Sequence, residues 1–197
     1  MLPTRNAARV GTRLFISAKT TSAIPTRCTL LWDALVQASL DPAVRSIEYI
    51  ASARVESTSI DLSAVVLCRD DGRHLLDIVP ARTLRDVEDE GLALIALGEL
   101  ALPSVVLTAA DIQQEPRFSN CRTVWTYRMH AVGIGMRLRI LQALAEDGPL
   151  PLSQLLAAIQ GDRDPAPAIM AMACSNLVEL DLTTGALGPS TLARSRA

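Results

Sequence analysis

Between Ser57 and Arg82 the chain reads as two apolar runs folded about one tight turn, and no other stretch constrains its architecture as much. The first run, residues 58–68, holds Thr58, Ile60, Val65 and Val66, β-branched side chains that suit a pleated surface. Asp70-Asp71-Gly72-Arg73 follows, with glycine where a positive φ carries little cost. The second run, residues 74–79, returns as a strand, and residues 45–56 alternate well enough to precede the pair as another. Each run of the hairpin carries one acid, Asp61 and Asp77. The expectation is that neighbouring strands direct these two carboxylates into one concavity. The plainer alternative is that both acids sit on the solvent face of a sheet.

Around the hairpin the periodicity predicts helices and a fourth strand. Residues 28–40 repeat apolar side chains at helical spacing and stop at Asp41-Pro42, because the residue before proline avoids the helical region. Residues 83–100 place Leu84, Val87, Leu92, Ile95 and Leu100 on a helix, with Glu88, Asp89 and Glu90 as a solvated face. A strand at 104–108 then completes a strand–helix–strand order, which favours a parallel crossover. Residues 117–130 read as a connecting helix bearing Arg117, Arg122, Arg128, Trp125 and Tyr127, and Gly133 and Gly135 mark a domain boundary nearby. Beyond it come helices at 136–146, 152–159 and 166–178, with a break at Gly161, and then two short apolar strands around Gly185. Three helices with such a wing make a winged-helix plan. The first 27 residues carry Arg5, Arg9, Arg13, Lys19 and Arg27 and no acid, and read as a basic flexible arm. The expected division is therefore 1–27, 28–130 and 131–197.

Composition narrows the function classes. The net charge of −2 gives no overall electrostatic pull toward nucleic acid. Lys19 is the only lysine among 19 basic residues, which fits GC-rich coding better than a special chemistry. No window approaches the ~18 uncharged apolar residues of a membrane span, so no membrane partner is expected. Four cysteines stand far apart and only His74 and His130 are present, so a clustered zinc site is not expected. Free thiols in a reducing cytoplasm are the simplest reading.

Taken together, these features resemble the TnsA-like transposon endonucleases, in which a PD-(D/E)XK nuclease domain is joined to a winged helix. The resemblance rests on Leu35 to Glu48, on Asp61, on Asp77-Ile78-Val79-Pro80-Ala81-Arg82, and on Ala110 through Pro116 and Asn120 to Tyr127-Arg128. It implies an α/β (α+β) fold: a restriction-endonuclease-like mixed sheet with flanking helices, followed by a small winged-helix domain. It further implies Mg2+ held by Asp61 and Asp77, phosphodiester hydrolysis of DNA, and a transposase-like or other protein partner. Two departures bear on activity. The family's helix glutamate falls on Leu31, with Asp33 two residues on, and its lysine falls on Val79. Losing one preorganised charged group typically costs about 10²–10³ in rate, so a weak or inactive endonuclease is expected. An active alternative would recruit Asp33, Arg82 or Arg73, with His74 as a possible activator of water. DNA contacts are expected from Arg73, Arg82, Arg122 and Arg128. A third alternative is a winged-helix regulator or scaffold without nuclease ancestry. In the winged-helix region five arginines face six acids, and the third helix offers Ala168, Met170, Ala171, Met172 and Ala173. These either pack the domain's own core or form an exposed face for a protein partner.

Overall fold

The computed structural model describes residues 13–82, 85–159 and 164–196. Its centre is a four-stranded mixed sheet. β3 (Val44–Val55), β4 (Thr58–Arg69) and β5 (Gly72–Ile78) run antiparallel in sequence order, and β6 (Ser104–Leu107) joins β5 in parallel. The expected crossover is present: α2 (Val87–Leu100) lies between β5 and β6. Asp86 caps α2 by accepting from the Asp89 amide, and Glu88, Asp89 and Glu90 occupy its first turn, where the helix dipole favours negative charge. The tip of the hairpin turns at Gly72, whose φ of 128° would strain any other residue. Leu84, which the sequence placed on this helix, lies outside the described residues.

The two faces of the sheet are covered by different helices. α1 (Thr29–Leu40) packs one face, joining Leu35, Val36, Val65, Leu67, Leu76 and Ile78 in the main core. α2 covers the other face, where Ala93 and Ala96 meet Val55, Ile60, Leu62 and Ala64. Within β4, Leu62 and Ser63 stand against the single residue Ala51, and Ser63 takes a positive φ of 47°, marking a bulge beside Asp61.

The amino-terminal segment departs from expectation. Residues 13–27 are not an arm: β1 (Arg13–Phe15) pairs antiparallel with β2 (Ile24–Thr26). Phe15 and Ile24 are fully buried, with Phe15 stacked on Trp125 at 5.3 Å and edge-on to Trp32 at 5.1 Å. The intervening loop bonds to the free edge of β3, through Ile47 N to the Lys19 carbonyl and Thr21 N to the Ile47 carbonyl. That contact shields an edge that would otherwise present unpaired backbone. The apolar triplet around Phe15 overrides the basic composition that suggested a solvated tail. Arg5 and Arg9 lie outside the described residues.

After β6 the chain runs through α3 (Ala109–Ile112) and α4 (Arg117–Trp125), which ends five residues before the expected helix end. Then come α5 (Ile134–Glu146), β7 (Leu150–Pro151), α6 (Leu152–Ala158), α7 (Ala166–Cys174), β8 (Val178–Leu180) and β9 (Leu192–Ser195). The last three strands form a second sheet in the order β7-β9-β8. The expected break at Gly161 lies outside the described residues.

One expectation is corrected in this region. The strand paired with β8 is Leu192–Ser195, not the segment around Ala186 and Leu187. That segment belongs to a loop held by buried Asn120, whose amide donates to the Leu182 and Gly185 carbonyls and whose carbonyl accepts from Leu187 N. Of the two alternatives for the Ala/Met residues of α7, the structure bears out core packing: all residues from Ala168 to Cys174 are buried. The helix packs on α4 and α5 and touches α1. One hydrophobic cluster runs from Phe15 through α1 and α4 to Ala193.

Candidate functional site

Side-chain alternation along the hairpin decides where its carboxylates go. In β4, Ile60, Leu62 and Ala64 all pack on the α2 side, which leaves Asp61 and Ser63 on the α1 side. In β5, Leu76 and Ile78 join the α1-side core while Leu75 packs toward α2, so Asp77 falls on the α2 side. The two aspartates therefore diverge to opposite faces. The expectation of a shared concavity is corrected, and the cause is register: β5 pairs Leu76 with Val65, which places Asp77 out of phase with Asp61.

Each carboxylate has its own surroundings. Asp61 lies in a groove with Leu31, Tyr49 and Ser63, which Arg82 also lines. Ser63 Oγ donates to Asp61 Oδ1 at 2.8 Å, and Tyr49 Oη donates to Ser63 Oγ at 3.2 Å. The apolar Leu31 thus stands on the same wall as the acid. Asp77 is clamped by Arg82, with Nε at 2.9 Å from Oδ1 and Nη2 at 2.5 Å from Oδ2, a two-pronged guanidinium–carboxylate fork. The chain leaves β5 through a single 3-10 turn, Val79–Ala81, which lets Arg82 double back on Asp77. Val79 itself is exposed and apolar.

This donor set does not fit magnesium. Both oxygens of Asp77 are engaged by a cation, and Asp61 faces the other way. Among the described residues, no group of three or more His, Cys, Asp or Glu side chains comes together as a metal site.

The remaining expected residues are scattered. Arg73 sits at the hairpin tip and pairs with Glu48 at 2.6 Å, and Cys68 donates to the same carboxylate. His74 stands opposite Leu67, near the turn, with Nε2 at 3.6 Å from Asp71. Neither reaches Asp61 or Asp77. Asp33 lies in a different groove, together with Arg122 and Arg128. Desolvation raises its carboxyl above the usual range, opposed by the Arg122 charge. One residue that sequence reasoning passed over, Arg85, ties β4 to the start of α2: Nη2 donates to the Asp61 and Leu62 carbonyls, while Nη1 pairs with Glu90. Its place in the acidic Asp86-Val87-Glu88 neighbourhood was the only signal.

No protein-family model matches this chain, and no curated protein matches it either. Among the described residues no helix is long and apolar enough to cross a membrane.

Proposed function

We propose that this chain is a non-cleaving protein built on the TnsA-like plan, acting as a DNA-associated or partner-binding component of a mobile-element or related DNA-processing assembly. The observation that carries the non-cleaving part is the fate of the acids: Asp77 locked by Arg82 on one face, Asp61 beside Leu31 on the other. Hydrolysis of a phosphodiester needs a metal or base to activate water and a charged group to stabilise the transition state. Neither is assembled at the hairpin.

The plan itself draws support from topology. A nuclease-like reading requires a central sheet in which the hairpin sits next to a helix crossover, and β4, β5, α2 and β6 provide that arrangement. A winged-helix protein without nuclease ancestry has no need of it. The order α5, β7, α6, α7, β8, β9, with β9 between β7 and β8, supports the winged-helix reading of the second half. In that plan α7 takes the place of the recognition helix. Its burial against α4 and α1 keeps it from entering a major groove, so any DNA contact must use another surface.

The active alternative with a rearranged centre is disfavoured, because Asp33 is not beside Asp61 or Asp77, although Arg82 does reach Asp77. Plasmid DNA incubated with Mg2+ or Mn2+ tests the proposal. No nicking above a buffer control is expected, and robust cutting that is lost in Asp77→Ala would overturn it.

A further inference from the structure

A second groove, outside the hairpin, is lined by four arginines and three aromatic rings. Arg13, Arg27, Arg122 and Arg128 meet there with Trp32, Phe118 and Trp125, and Asp33 is the only acid on its wall. The arginines come from separate parts of the chain. Arg13 is in β1, Arg27 follows β2, Arg122 is in α4, and Arg128 lies just beyond α4. The groove exists only because β1 and β2 fold against α1 and α4.

Two features mark this group of arginines. Three of them rest on rings: Arg13 lies 4.6 Å from the Trp32 centroid, Arg122 lies 5.2 Å from Phe118, and Arg128 lies 5.7 Å from Trp125. A guanidinium laid on a ring uses its face for the cation–π contact and keeps its in-plane N–H donors for an anion. Much of its rotamer freedom is already lost, which lowers the entropic cost of binding. Second, none of the four has a carboxylate ion pair among the described residues. Arg45, Arg73, Arg82, Arg117 and Arg194 elsewhere on the surface are all paired with acids. Asp33 sets one carboxyl against four guanidiniums, and burial raises that carboxyl above its usual range, opposed by the Arg122 charge. Trp125 adds a further polar group: the residue is only 6% exposed, lines the groove, and its indole N–H has no hydrogen-bond partner among the described residues. The sequence ahead of Arg13 carries Arg5 and Arg9 without an acid.

From this we infer that the groove is a binding site for the phosphodiester backbone of single-stranded nucleic acid. Stacked guanidinium forks suit phosphate geometry, and aromatic walls between cations are the arrangement on which single strands run. The site is a concavity of about 660 Å³ in which the rings lie among the cations. The inference deepens the DNA-associated reading above by naming the form of nucleic acid and the surface that takes it, and it rests on that reading.

The experiment is a titration of the full chain with a fluorescein-labelled oligothymidylate and with a labelled duplex, without divalent metal. Anisotropy reports binding. Emission from Trp32 and Trp125, the only two tryptophans, reports whether the groove is the place. The strand is expected to bind more tightly than the duplex and to alter tryptophan emission. About three phosphate contacts give a log–log salt slope near −2. Arg122→Ala and Arg128→Ala should each weaken strand binding by about 10-fold, the scale of one charge-assisted contact, while Arg45→Ala should leave it unchanged. Far-ultraviolet circular dichroism and the melting midpoint show that the variants are folded, and Arg122→Lys should recover part of the affinity by restoring the charge without the fork. Strand binding indifferent to the groove substitutions, with unchanged tryptophan emission, overturns the groove assignment. If duplex binding persists in that case, DNA association through another surface stands. Absence of binding to strand and duplex alike overturns both readings.

Discussion

Replacing Phe15 by alanine is the sharpest test of how the amino-terminal segment sits. Its side chain is fully buried, edge-on to Trp32 of α1 and stacked on Trp125 of α4. It therefore joins three elements that no local hydrogen bond connects. Truncating a buried phenylalanine costs about 3–5 kcal/mol through lost transfer energy and the cavity left behind, and the two ring pairs place it at the upper end of that range. In a chain of this size each kcal/mol lowers the midpoint by about 2–4 °C, so a drop of about 6–20 °C is expected. Urea unfolding followed by tryptophan emission is the natural assay, because Phe15 touches both tryptophans and the signal arises at the cavity itself. The urea dependence should keep its slope while the midpoint moves. Phe15→Leu, which retains most of the volume, should lose less than about 1.5 kcal/mol and keeps the test informative if the alanine variant unfolds. A loss below about 1 kcal/mol in Phe15→Ala, with both tryptophans emitting as before, would mean that residues 13–27 do not pack on the core, and the second groove would lose Arg13 and Arg27 as members.

Three further outcomes are expected. Asn120→Ala removes three hydrogen bonds that fasten the loop at 182–187 and leaves buried backbone groups unpaired, so chemical denaturation should show a loss of about 2–4 kcal/mol; a loss under 1 kcal/mol would mean the clasp contributes little. Burial, aided by the Arg196 charge and opposed by Asp41 and Glu179, lowers the Lys19 pKa from 10.5 to about 8. The unfolded chain holds that proton up to 10.5 whereas the folded chain releases it near 8, so the unfolded state binds more protons in between and stability rises with pH across that window; relative to Lys19→Met the gain should be on the order of 2 kcal/mol, and parallel pH profiles would refute it. Burial pushes the thiols of Cys121 and Cys174 up to about 11 and about 12, whereas Cys28 and Cys68 are only half-buried; an aromatic disulfide reagent at pH 8 should label the latter pair first and reach the former only on unfolding.

What could be read from the sequence divides along a physical line. Elements with strong local periodicity are where expected: α1 after Cys28, the hairpin about Gly72, the parallel return of β6, and the helices on either side of Gly148. Features set by long-range packing were not legible. Phe15 sits in a basic segment whose partners, Trp32 and Trp125, lie far along the chain. The loop that replaces the expected wing strand is fixed by Asn120, more than sixty residues upstream. The separation of Asp61 from Asp77 depends on the pairing of Leu76 with Val65. A slip of one residue would have put Asp77 on the other face, and neither strand's composition specifies that register.

The hairpin and the arginine groove differ in chemistry. On the hairpin every cation that approaches a carboxylate pairs with it: Arg82 with Asp77, Arg73 with Glu48, Arg45 with Asp70. Such pairs, two-pronged for Arg82 and Arg45 and single for Arg73, largely cancel the charge that would draw a phosphate. On the far side of α1 the arginines meet rings in place of acids, and their charge stays available. A chain with a net charge of −2 can therefore still present a locally cationic surface, because an anion responds to the sign of the charge within a Debye length, about 10 Å at moderate salt. The whole-chain charge, which argued against nucleic acid, averages over pairs that cancel and a groove that does not.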